Sequence, residues 1–277
     1  MQHNQPILYV IATPIGNLRD ISLRALDTLT ATPLLAAEDT RVARRLLAAH
    51  NIRGKKILSL RAHNENRAAV AVINGARAYG SAAYLADAGT PGVSDPGGRL
   101  VRLARAEGVR VIPIPGASAL TALWSAAGIF GEVHFLGFPP RAAAARRDFF
   151  QSLTALSGYA ALFEAPRRVA DTVVQLREVL GDAARAVVGR ELTKAFEQLV
   201  DTTVGDLAAA IAADEVPTRG EFSLLVELPG RGDGAAGDEL FIALAQELPL
   251  RRAAALAAKF GGGEANNYYR RRIKGEI

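Results

Sequence analysis

Four groups of ionisable side chains stand where an apolar run breaks off: Glu38, Asp39 and Arg41; His63 and Glu65; Asp87 and Asp95; and Arg190, Glu191 and Lys194. Carboxylates, ammonium and guanidinium groups collected in this way can take up a proton, orient a polar substrate or hold a phosphate. None of the groups has the form of a nucleophile with its base and an orienting partner. The chain has no cysteine and its four histidines are scattered, so thiolate chemistry is excluded and a His-rich metal site is not expected. What remains is a reaction run by positioning a reactive cofactor against its substrate.

The elements that must position these groups centre on Tyr84–Leu100, YLADAGTPGVSDPGGRL. An apolar run ends at Asp87, and glycines and prolines then form turns in which backbone amides can approach a ligand with no side chain in the way. A plain strand–loop–helix turn would explain one such loop. Here the same edge is expected to carry four more, at 13–17, 38–41, 61–66 and 115–118. Strands are expected at 7–12, 34–37, 57–60, 81–86 and 110–114, each followed by an amphipathic helix. Short continuous apolar strands alternating with helices imply a mostly parallel sheet covered on both faces, with ligands beyond the carboxyl ends of the strands.

A second α/β unit follows. Its strands are expected near 135–138, 159–163, 185–188 and 221–228, and its helices at 168–180 and 204–213. Residues 139–147, PPRAAAARR, read as a basic, mobile linker. The string Gly232-Asp233-Gly234-Ala235-Ala236-Gly237 matches G-x-G-x-x-G, but no strand follows to complete a dinucleotide-binding unit, so it reads as part of a linker over 229–238. Residues 239–277 read as two or three basic helices. The resulting division is 1–115, 116–228 and 229–277. Net charge is +5, and the stretch 251–277, with seven Lys/Arg against two Glu, carries all of it. Such a patch suits a polyanion. Neither a signal-like N-terminus nor a membrane-length apolar run is present in the sequence, which predicts a soluble cytoplasmic protein without a membrane partner.

The ordered strings ATPIGNLRDIS, AAEDTR, HNEN, DAGTPGVSDPG, PGASALTAL, GFPPR with the following RR, FEAPRR, RELTKAFE, RGEF and LPLRRAAALAA span Leu8 to about Ala258. In this the chain resembles the bacterial ribosomal small-subunit methyltransferase I family, a tetrapyrrole-methylase-type group that 2′-O-methylates a cytidine of 16S rRNA. The resemblance implies an α/β, tetrapyrrole-methylase-like fold of two α/β domains with S-adenosylmethionine in the cleft between them, a helical C-terminal tail and a homodimer. It places cofactor contacts on Pro14, on Asp87, Ala88, Gly89, Thr90 and Val93, on Ser118 and Ala119, and on Leu192, Glu221 and Phe222. Arg167 departs from the family, where histidine is expected, and Gly261-Gly262-Gly263 is richer in glycine than the usual tail.

A ribose hydroxyl needs its proton removed or strongly hydrogen-bonded before it attacks a methyl group. Glu38, Asp39, Glu65, Glu191 and Lys194 are available at the expected cleft rim, and Glu38, Asp39 and Lys194 are the expected catalytic groups. Arg41, Arg141, Arg146, Arg147, Arg270, Arg271 and Arg272 are expected to hold phosphates of 16S rRNA or of the small subunit. Two alternatives stay open: a tetrapyrrole or protein methylase of the same fold, and a non-catalytic RNA-binding or ribosome-assembly factor.

Overall fold

The first half alternates strand and helix: Ile7–Ile11 (β1), Leu23–Ala31 (α1), Leu34–Ala37 (β2), Thr40–Ala49 (α2), Lys56–Ser59 (β3), Glu65–Tyr79 (α3), Ser81–Leu85 (β4), Gly98–Ala106 (α4), Arg110–Ile114 (β5) and Ala119–Ala126 (α5). These are elements of a computed structural model that describes residues 5–61, 63–229, 235–261 and 265–274. The five strands form one sheet in the order β3-β2-β4-β1-β5, and the neighbours pair in parallel.

Burial explains the strand sequences. β2 lies inside the sheet and is covered on both faces, so all four of its residues are apolar and buried. Leu34 and Ala36 pack with Val72, Ile73, Tyr84 and Leu100, whereas Leu35 and Ala37 pack with Ala25, Leu29, Leu46 and Leu47. That split follows the two-residue side-chain period of a strand. Each leucine so buried contributes roughly 1.5–3 kcal/mol. β3, at the sheet edge, keeps an exposed lysine at its start. Ser22 starts α1, its hydroxyl accepting the amide of Ala25.

The second half contains Val133–Gly137 (β6), Ala143–Ser152 (α6), Tyr159–Glu164 (β7), Val169–Leu180 (α7), Arg185–Arg190 (β8), Gln198–Thr203 (β9), Val204–Ala212 (α8) and Phe222–Glu227 (β10). Its sheet order is β6-β7-β10-β8-β9. Three helices follow: Ala235–Glu247 (α9), Leu250–Gly261 (α10) and Ala265–Ile273 (α11). Their shared core is Phe241, Ala253, Ala254, Ala257 and Tyr268, with the Phe241 and Tyr268 rings stacked 5.6 Å apart. By contact density the chain forms two units: residues 1–128 with 188–200 and 220–223, and residues 129–187 with 201–219 and 224–277.

Two expectations are corrected and one strand is added. The basic stretch 139–147 is not a mobile linker, because α6 begins at Ala143 and ties down Arg146. β9 was not foreseen; QLVDTT is a polar strand at the sheet edge, and its burial alternates only partly. The expected linker 229–238 is shorter, since Gly237 and Asp238 lie in α9. The remaining linker glycines Gly230, Gly232 and Gly234, and Gly262 and Gly263 of the tail, lie outside the described residues.

Candidate active site

Parallel pairing brings the carboxyl ends of the first sheet together. Ile11 is in register with Leu85 and with Ile114, and Ala37 with Leu85 and with Ser59. The loops after β1, β2, β3, β4 and β5 therefore leave from one edge, where α/β sheets bind their ligands. Thr13 and Gly89 exchange backbone hydrogen bonds of 2.9 and 3.0 Å, which ties the β1 loop to the β4 loop. The Thr90 hydroxyl donates to the Ala117 carbonyl at 3.1 Å and ties the β4 loop to the β5 loop. Gly116 approaches so closely that a Cβ there would stand 3.0 Å from that of Ala12. Expected cofactor residues Pro14, Ala88, Gly89, Thr90, Val93, Ser118 and Ala119 all lie on these three loops or at the start of α5. Ser118 is the N-cap residue of α5, yet its side chain makes no capping hydrogen bond.

The β4 loop is held in shape from behind. Glu65, nearly buried, accepts the amides of Gly97 at 3.0 Å and Arg99 at 2.9 Å, so its carboxylate sits on the N-terminus of α4. That occupation makes Glu65 a positioning group rather than a free base. The Tyr84 hydroxyl donates to the Pro96 carbonyl at 2.7 Å. Gly97 adopts φ +115°, and a Cβ there would come within 2.4 Å of the Tyr84 ring.

Glu38, Asp87 and Asp95 gather beside Tyr84. Burial raises the Glu38 pKa, and the Asp87 charge raises it further against the opposing pull of Arg61. Burial, then the charges of Glu38 and Asp87, pushes Asp95 up to about 6. The Tyr84 hydroxyl is pushed above its ordinary range by burial and by these same carboxylates. Asp87 accepts the Asp39 amide at 2.8 Å, so part of its role is to shape the loop after β2. Asp39 differs from its neighbour Glu38. It is the N-cap of α2, and hydrogen bonds from the Arg41 side chain and amide hold its carboxyl well below the usual range.

Leu192, Lys194 and Glu221, on loops, and Phe222, at the start of β10, belong to segments that cluster with the first unit. Lys194 reaches Glu191 at 2.7 Å and Glu221 at 3.2 Å. Burial alone would lower its pKa, but these carboxylates hold it above the ordinary value, so it is an ammonium and not a base. Glu191 and Thr193 have φ of +52° and +66°, uncommon for residues with a side chain. Their loop meets the β1 loop directly: the Asn17 amide donates to the Thr193 hydroxyl at 3.1 Å. A Cβ on Gly16 would stand 2.4 Å from Lys194 Cγ.

The expected phosphate-binding arginines divide. Arg41, Arg141, Arg147, Arg270 and Arg272 are exposed. Arg146 is a correction: it is 7% exposed and engaged by Glu164 and Thr172, so it is not available as a surface contact. Arg271 is likewise committed, to both carboxylate oxygens of Asp238. Three features escaped the sequence reading: the raised pKa of Asp95, the left-handed turn around Leu192, and the network of Glu164, Arg146, Arg168 and Thr172. The signal for the last was present in FEAPRR and in the preceding RR pair, whose Arg146 was expected to hold phosphate.

Comparison with known proteins agrees with this architecture. Residues 7–208 match the family model for tetrapyrrole (corrin/porphyrin) methylases. The chain is 42% identical over 273 residues to the ribosomal RNA small subunit methyltransferase I of Mesorhizobium japonicum, covering 98% of this chain and 92% of that one. It is 40% identical to the protein of the same name from Neisseria meningitidis serogroup A, covering 92% and 89%. Among solved structures, a cobalt precorrin-4 methyltransferase of cobalamin biosynthesis superposes with a TM-score of 0.61 at 19% identity, covering 79% of this chain and 94% of that one.

Proposed function

Because the chain belongs to the ribosomal RNA small subunit methyltransferase I family of tetrapyrrole methylases, we propose that it methylates the ribose 2′-hydroxyl of a cytidine in 16S rRNA. The methyl donor is S-adenosylmethionine, and the working form is a cytoplasmic homodimer that meets the rRNA free or in the small subunit. The observation that carries this reading is the joining of the β1, β4 and β5 loops at one sheet edge by Thr13–Gly89 and Thr90–Ala117.

The residues fit the donor. Gly92 in the β4 loop and Gly98 at the start of α4 would each carry a Cβ into open space, so the main chain there is uncovered by side chains. The carboxylates of Glu38, Asp87 and Asp95 complement a positively charged ligand. When bound, S-adenosylmethionine supplies an electrophilic methyl group on a sulfonium. Pro14, Asp87 to Thr90, Val93, Ser118, Ala119, Leu192, Glu221 and Phe222 would hold it.

Glu38 is the better base of the expected pair, since its raised pKa gives it more affinity for the hydroxyl proton. Asp39 fixes the start of α2 and orients Arg41. Lys194, kept charged by Glu191 and Glu221, neutralises a phosphate or orients the hydroxyl. Arg41, Arg141, Arg147 and the basic tail take phosphates of the RNA. The division into 1–115, 116–228 and 229–277 belongs to the same reading.

The test is methylation of small subunits, with 2′-O-methylcytidine read by mass spectrometry. Glu38→Gln should lower kcat by about 10²–10⁴-fold with unchanged calorimetric affinity for S-adenosylmethionine. A wild-type protein that binds no S-adenosylmethionine would favour an assembly factor, and methylation of a tetrapyrrole in place of rRNA would favour the other alternative.

A further inference from the structure

A groove of about 540 Å³ runs between α6 and α7, and every residue lining it belongs to the second unit. Its size falls in the range of small-molecule sites, about 300–1,000 Å³. The floor contains Phe150 and the Arg146 guanidinium, which lies 5.1 Å from the centre of that ring. Arg146 is built into the fold. It reaches Glu164 at 3.3 Å and Thr172 at 2.6 Å, and the Thr172 hydroxyl donates to the same carboxylate at 2.5 Å. Arg168 approaches the other Glu164 oxygen at 3.5 Å. Two guanidiniums thus share one buried carboxylate, and the cluster keeps a positive charge in excess. Arg168 carries the excess partly in solvent, where it donates to the Pro139 and Pro140 carbonyls.

The two walls differ in sign. On the α6 side, Arg141 and Arg147 are exposed and make no ion pair among the described residues. On the α7 side stand Asp171 and Glu178, also without an ion pair among the described residues, and Gln175, whose buried amide oxygen accepts no hydrogen bond. A simple anion would be attracted by one wall and repelled by the other. A molecule with an anionic end and a hydrogen-bond-donating end satisfies both.

We propose that this groove takes one unstacked nucleotide of an RNA strand, its phosphate held by Arg141 and Arg147 and the exocyclic amine of a cytosine or adenine turned toward Asp171 and Glu178. Carboxylates accept hydrogen bonds from the cytosine amine, and single-stranded RNA is read on splayed bases. The inference rests on RNA being the substrate and adds to it a base-reading subsite outside the loops of the first sheet.

The experiment measures binding of a fluorescent single-stranded oligocytidine to the full chain, with cytidine monophosphate, uridine monophosphate and ribose 5-phosphate as competitors. Cytidine monophosphate should compete about tenfold better than the other two. Val174→Trp, at an exposed position lining the groove, should abolish that preference and weaken the oligonucleotide about tenfold, with S-adenosylmethionine affinity unchanged. Paired Arg141→Glu and Arg147→Glu should weaken the oligonucleotide and reduce its salt dependence. Equal competition by all three small molecules, or no effect of Val174→Trp, overturns the proposal. An oligonucleotide that fails to displace cytidine monophosphate assigns the groove to free nucleotides and overturns it too. Small-subunit methylation is measured in parallel. In the wild-type protein, absence of discrimination with methylation intact defeats the groove alone, whereas discrimination without methylation defeats the methyltransferase reading.

Discussion

Both sheets carry carboxylates at the carboxyl ends of their strands, and the molecule treats them in opposite ways. After β2 and β4, Glu38, Asp87 and Asp95 crowd one another, and Asp95 rises to about 6. At the end of β7, Glu164 is fully withdrawn from solvent but held by Arg146, Arg168, Thr172 and the Ala165 amide. Crowding without enough cations leaves Asp95 able to exchange a proton at about pH 6. Pairing with two guanidiniums fixes a carboxylate as a structural part. The difference separates groups suited to chemistry from groups suited to holding helices in place.

The largest effect should come from breaking the paired side. Glu164→Gln leaves two guanidiniums without their shared counter-charge and should cost about 3–5 kcal/mol. Urea denaturation followed by circular dichroism, with hydrogen exchange across α6 and α7, reads the loss; an unchanged midpoint would mean that the network does not hold these helices. Next comes the loop that frames the crowded side. Gly97→Ala meets both a left-handed φ of +115° and the buried Tyr84 ring, and should cost about 1–3 kcal/mol and weaken S-adenosylmethionine binding measurably by calorimetry. Gly92→Ala, with φ +86° but open space for its Cβ, should cost only about 1 kcal/mol. Equal costs would locate the constraint in the backbone alone.

The smallest effect sharpens the comparison by pH. Asp95 binds its proton more tightly folded than unfolded, so the native state holds more protons between about pH 4 and 6. Stability should therefore fall as pH rises through that window and level off above it. The contribution is roughly 1 kcal/mol once screening of this half-exposed carboxyl is allowed for. Asp95→Asn should flatten the slope in urea titrations, and an unaltered slope would remove Asp95 from the crowded set.

How much of this could be read from the chain depends on whether the signal is local. The inner strands of the first sheet announced themselves because burial on both faces demands continuous apolar runs, as in LLAA. Turn chemistry at 13–17, 87–97 and 115–118 marked the loops. β9 was hidden because an edge strand needs little apolar surface. α6 was hidden because Pro139 and Pro140 suggest a break, and because two arginines look alike in sequence when one is buried and the other is not. The distinction between Glu38 and Asp39 is invisible for the same reason: it depends on Arg41 folding back onto Asp39, and on the protein interior and the Asp87 charge closing over Glu38.

Thr193 shows what this arrangement means for anyone selecting hardier variants. Its left-handed backbone is one that glycine or asparagine adopts more readily, so a screen for heat resistance alone would reward their replacement of threonine. Yet the hydroxyl lost with Thr193 is the acceptor for the Asn17 amide, the cord between the 190–194 loop and the loop after β1. A population drifting toward rigidity at this position would be cutting that cord, and its survivors should be sorted by ligand affinity before they are sorted by melting point.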